Sequence, residues 1–134
     1  MKISFPVLLA GLLLAGCATR STIQSRKQER ATSYGALSSE FQKLVDSGQI
    51  RRGMSEDAVY IAWGKPSQVL RQEDARGALT IWLYEGGWME ETRWWPRYSS
   101  VPVNEYQPRT YVSAELIFVK GVLDSWRTLP QPVY

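Results

Sequence analysis

The chain contains one cysteine and no histidine. Without imidazole, most nucleophile–base pairs and most zinc or copper sites are closed to it. The cysteine closes the run Leu14-Ala15-Gly16-Cys17, after Met1-Lys2 and an apolar stretch through Phe5, Val7, Leu8, Leu9, Leu12, Leu13 and Leu14. A short positive start, an apolar stretch too short to span a bilayer, and small residues before the cysteine describe a secretory signal. As the only thiol, Cys17 has no internal disulfide partner. The other groups with catalytic potential are Glu85, Glu90, Glu91, Glu105 and Glu115. A carboxylate pair beside aromatic platforms is what glycan hydrolysis requires. No motif with a mechanism joins them, so the expectation is a protein that is not an enzyme, with no cofactor and no metal.

Leu14-Ala15-Gly16-Cys17 resembles a bacterial lipobox. The resemblance implies a signal peptide at 1–16, cleavage before Cys17, and lipidation of Cys17 with acyl chains such as palmitate. More than one chain is enough for stable anchoring. The implied location is a membrane facing the periplasm. Ala18 in place of Asp leans towards the outer membrane.

Removal of the first sixteen residues leaves one domain of ordinary size. The formal net charge is +3 and falls by one with the loss of Lys2, so no nucleic-acid partner is expected. Six Trp and seven Tyr stand out instead. Aromatic wealth without His points towards packing and recognition.

Residues 17–34 carry no apolar period and read as a lipidated cysteine with a flexible tether. Arg20, Arg26, Lys27 and Arg30 lie close to the anchor, where they either touch anionic headgroups or simply solvate a linker. The domain then occupies 35–134. Leu37, Phe41, Leu44 and Val45 form one stripe and predict a helix over 37–47, stopped by Gly48. Ser55 suits an N-cap, with Glu56 and Asp57 in the first turn. Met54 and Val59 have the spacing of a hydrophobic staple, and Gly64 with Pro66 ends this second helix. A strand is expected over 67–72, a polar turn at 73–77, and an alternating strand over 78–85. In that strand Leu79, Ile81 and Leu83 face one way and Thr80, Trp82 and Tyr84 the other. A strand at 110–119, a tight turn at Lys120-Gly121 and a strand at 122–127 complete the pattern. The fold class is α+β: two N-terminal helices packed on a small antiparallel β-sheet.

Gly53-Met54-Ser55, Val59, Gly64-Lys65-Pro66, Trp82-Leu83-Tyr84 and the run Leu116 to Leu123 resemble, in order and spacing, the SmpA/OmlA (BamE-like) family of outer-membrane lipoproteins. The resemblance covers roughly residues 50–127 and implies a BamE/β-lactamase-inhibitor-protein-like arrangement. It implies an accessory subunit of the machinery that assembles outer-membrane β-barrel proteins, with protein partners there. Most of the matching residues encode turns and caps, so they describe a fold more than a site.

An insert at 85–109 departs from that family. A structureless loop of this length is unusual in a compact domain unless it is functional or holds its own hairpin, which Gly86-Gly87 would turn. It concentrates Trp88, Arg93, Trp94, Trp95, Arg97 and Tyr98, the residue types most enriched at interface hot spots. These six form the candidate partner-binding surface. Trp63 and Trp82 are expected in the core, whereas Trp94 and Trp95 divide evenly between core and surface. The rival functions are a cell-wall or glycan-binding lipoprotein, since exposed Trp and Tyr stack on sugars, and an inhibitor of a periplasmic enzyme.

Overall fold

The structure, a computed structural model, describes residues 20–133. The signal peptide and Cys17 lie outside the described residues. The chain is α+β. Four helices, α1 (Ile23–Glu29), α2 (Ala31–Gly35), α3 (Ser39–Asp46) and α4 (Glu56–Trp63), precede four strands, β1 (Gln68–Asp74), β2 (Gly77–Trp94), β3 (Val103–Val119) and β4 (Val122–Thr128). The strands form one antiparallel sheet in the order β1-β2-β3-β4.

The two helices read from apolar spacing are α3 and α4. Ser38 caps α3 by accepting from Phe41 N at 3.2 Å, and Ser55 caps α4 by accepting from Ala58 N at 3.2 Å. Met54 and Val59 are both fully buried. Gly64 takes φ +89°, a backbone state that excludes side chains at little cost only for glycine, and it ends α4. The helices cover one sheet face. Trp82, Leu116, Phe118 and Leu123 meet Val45, Met54, Val59 and Ile61 there. The Trp82 and Phe118 rings lie 4.8 Å apart. Leu79, Ile81 and Leu83 alternate onto the opposite face, as their spacing indicates.

The flexible tether expected over 17–34 is corrected from Thr22 onward by α1 and α2, residues 17–19 lying outside the described residues. Thr22 and Ser25 close a capping box that starts α1. Ile23 and Tyr34 pack against the core from this segment, and a buried cation fastens it further. Arg26 is only 7 % exposed, and its guanidinium donates from Nε to Ile61 O at 2.8 Å and from Nη2 to Ala62 O at 3.2 Å. These carbonyls end α4, where the helix dipole favours positive charge. Nη1 donates to Ser21 Oγ at 3.0 Å.

The other N-terminal cations are also turned towards protein. Lys27 pairs with Asp46 at 2.7 Å, and Arg30 lies 3.6 Å from Asp57. Of the four residues placed near headgroups by sequence, Arg26, Lys27 and Arg30 therefore hold the domain together. Tyr34 OH also donates to Asp46, at 2.9 Å. The Lys27 hydrogen bond holds the Asp46 carboxyl below its ordinary pKa, and Asp46 raises that of Lys27 in return.

Two predictions follow from this N-terminal clamp. Arg26→Ala leaves buried carbonyls without their donor and is expected to cost about 3 kcal/mol in urea unfolding; a loss below about 0.5 kcal/mol would show that α1 docks by other means. The second concerns pH. A carboxyl with a lowered folded pKa stabilises above the ordinary carboxylate value and loses that contribution as pH falls through its folded value. A lysine with a raised folded pKa stabilises below its ordinary value and loses it as pH rises through the folded one. The pair is thus at full strength between 3.8 and 10.5. The stability gap between the wild type and Asp46→Asn should close as pH falls below 3.8, measured by denaturant melts; a gap that stays constant on acidification contradicts the pairing.

Candidate functional site

The sheet is narrow at one end and continues as a two-stranded arm. β1 pairs with β2 only as far as Gln68–Leu83. Glu85 N donates to Ser67 Oγ at 3.0 Å, which closes the first strand's edge. From there β2 and β3 run on together for nine pairs, Gly86–Tyr111 to Trp94–Val103. At about 3.3 Å per residue the arm reaches roughly 30 Å beyond the sheet. The chain turns through residues 95–102, where Ser99 N donates to Pro96 O at 3.0 Å.

The insert at 85–109 is therefore a hairpin, but Gly86-Gly87 does not turn it. Both glycines lie within β2. Gly86 pairs with Tyr111, and a Cβ on it would stand 2.8 Å from the Tyr111 ring. The ring covers the bare backbone, the aromatic rescue that lets a strand keep a glycine. A register shift sits at the arm's root, between Tyr84 and Glu85. There Ser113 Oγ donates to Tyr84 O at 3.0 Å. A bulge re-aims a strand and raises its twist.

Alternation divides the arm's side chains between two faces. Trp88, Glu90, Thr92, Trp94, Arg109 and Tyr111 share one; Met89, Glu91, Arg93, Tyr106 and Pro108 share the other. Arg109 Nε donates to Glu90 Oε2 at 2.6 Å across the first face, and Arg93 Nε donates to Asn104 Oδ1 at 3.2 Å across the second. Such exposed pairs contribute little energy but fix register.

The six sequence candidates separate along this arm. Trp88 is half-buried near the root, beside Glu90, Arg109, Thr110 and Pro132. Arg93, Trp94, Trp95, Arg97 and Tyr98 gather at the far end. Trp94 is 46 % exposed, Trp95 62 % and Tyr98 96 %. The rings at the tip do not fold back over the sheet. Val101, Val103 and Tyr106 extend the exposed apolar surface beside them, and sequence reasoning missed all three. Trp63 and Trp82 belong to the domain instead, as expected. The Trp63 ring meets Tyr84 edge-on at 5.6 Å, and its Nε1 donates to Gly48 O at 3.1 Å.

Three of the five candidate carboxylates are engaged by other side chains. Glu90 is committed to Arg109, and Glu115 to Arg127 at 2.5 Å. Glu85 accepts from Gln68 at 3.0 Å.

The arm's root adjoins the start of the described chain. Tyr84 OH donates to Gly64 O at 2.9 Å, and burial pushes the phenol's pKa up. Arg26 packs on Gly64, whose absent Cβ would stand 3.5 Å from the guanidinium. Arg26 in turn reaches Ser21. The start of the described chain and the root of the arm are thus linked through Arg26 and Gly64. No family model, curated protein or solved structure matches this chain.

Because the tip rings contribute nothing to the core, Trp94→Ala with Trp95→Ala should change the melting temperature by no more than about 2 °C. A larger fall, in a thermal melt followed by circular dichroism, would place those rings in the stability of the fold.

Proposed function

We propose that this chain is a non-enzymatic, lipid-anchored binding subunit of the outer membrane that faces the periplasm and presents its arm to a protein partner. Assembly of outer-membrane β-barrel proteins is the specific role favoured. The observation that carries the reading is the arm's tip, where Trp94, Trp95 and Tyr98 stand exposed beside Arg93 and Arg97. Large rings left in water at the end of a long ribbon have no value to the fold. Trp, Tyr and Arg are the side chains that carry most interface energy once a partner covers them.

Anchoring at Cys17 rests on the lipobox resemblance. The BamE-like arrangement rests on α3, α4 and the sheet, joined by the Gly53-Met54-Ser55 and Gly64-Lys65-Pro66 turns; α1, α2 and the arm are additions to it. With α1 capped at Thr22, four residues, 18–21, separate the anchor from the folded domain, five Cα steps in all. At about 3.5 Å per extended residue they reach roughly 17 Å. Such a short leash would hold the domain and the root of the arm beside the membrane, where partners that insert barrels work.

A photo-crosslinking residue at position 95, in living cells, tests this directly. Adducts with barrel-assembly subunits are expected. An exposed tip that yields no protein adduct would contradict the protein-partner reading and favour the sugar-stacking alternative.

A further inference from the structure

Among the described residues no strand pairs with either edge of the arm, but the β3 edge is interrupted by Pro108, which has no N–H to offer, whereas the β2 edge is unbroken. On the β3 side, Leu129 N donates to Ser113 O at 2.8 Å, and Pro132 reaches the groove beside Arg109 and Thr110. On the β2 side, pairing with β1 ends at Leu83. Ser67 N donates to Leu83 O at 2.8 Å, and Glu85 N points to Ser67. Odd-numbered residues of β2 thus turn their backbone groups outward. Continued along the strand, this alternation leaves the N–H and C=O of Gly87, Met89, Glu91 and Arg93 directed away from β3. Such a row is a template for another strand.

We propose that a second copy of this chain pairs with this edge, β2 against β2, antiparallel about a two-fold axis at Thr92. Charge selects the occupant and the register. With the axis at Thr92, Glu91 of each copy lies opposite Arg93 of the other, so two ion pairs form by symmetry. Thr92 then faces Thr92, a favourable cross-strand pair. Moving the axis by one residue towards the root sets Glu91 against itself; moving it one residue towards the tip sets Arg93 against itself. Like charges directly opposite destabilise a ladder. Glu91 and Arg93 occupy the same arm face, and both are exposed. The dimer would join two arms into a four-stranded ribbon, β3-β2-β2-β3. The exposed tip loops would remain free to meet other partners, and the inference does not depend on the identity of those partners.

The cysteine count supplies the test. In the full chain carrying Cys17→Ser, an introduced cysteine is the only thiol. Thr92→Cys places two sulfurs across a non-hydrogen-bonded pair, where Cα atoms are about 4.5 Å apart and a disulfide fits. Under mild oxidation Thr92→Cys should give at least about fivefold more covalent dimer than Tyr98→Cys, which is more exposed but lies off the axis. Adding Arg93→Glu should cut the Thr92→Cys dimer about tenfold, and the exchange Glu91→Arg with Arg93→Glu should restore it to within about twofold. Equal dimer at positions 92 and 98 overturns the proposal. A dimer indifferent to Arg93→Glu, or one not restored by the charge exchange, overturns it as well.

Discussion

The pairing of β2 with β3 is the constraint on which the rest of this structure depends. It begins at Leu79–Val119 inside the domain and continues without interruption, except for one register shift, to Trp94–Val103. Its first part lies under helices, where Trp82, Leu116 and Phe118 are buried. Its second part has no helix above it among the described residues. A two-stranded ribbon alone is marginal in water. This one is held because its root is part of the packed sheet, and because pairs such as Arg109–Glu90 and Arg93–Asn104 fix its register. One ladder therefore both closes the core and carries the tip aromatics away from it.

The N-terminal segment obeys a different economy of contacts. Polar groups join Ile23 and Tyr34 in docking α1 and α2, and a buried guanidinium, with no acidic partner among the described residues, sits on carbonyls near the end of α4. The same arginine packs against Gly64, which the Tyr84 hydroxyl also reaches. Helix end, chain start and arm root are thus one connected cluster. Under the anchored reading, whatever fixes the N-terminus also fixes where the arm begins. A domain on a long flexible leash would lack that coupling.

Much of the domain was legible because its signals are local. Ser55, Met54 and Gly64 state where α4 starts, staples and stops, and the Lys120-Gly121 turn follows from a two-residue gap between apolar runs. Leu79 to Tyr84 alternate with period two. The failures share a cause as well. Residues 22–35 show no apolar period because only Ile23 and Tyr34 pack on the core and Arg26, Lys27 and Arg30 do much of the fastening, and hydrophobic patterning is blind to a buried charge. Thr22 with Ser25 was the available sign, a capping pair at the right spacing. In the insert, Gly86-Gly87 resembled a turn only because Tyr111, the residue that makes a glycine tolerable within a strand, is distant in sequence. The two faces of the arm are both largely in water, so its alternation separates aromatic from charged residues only weakly. The candidate tip residues were nevertheless identifiable by type. Their exposure depends on where the turn falls, and sequence placed that turn at 86–87 where the chain turns through 95–102.

Amide hydrogen exchange across residues 86–94 of the dilute full chain tests the account most directly. A paired arm predicts alternation: slow exchange at Gly86, Trp88, Glu90, Thr92 and Trp94, whose N–H groups face β3, and fast exchange at Gly87, Met89, Glu91 and Arg93. Uniformly fast exchange along both series would mean that the arm is an unpaired loop, and the presentation of its aromatic tip would lose its structural basis.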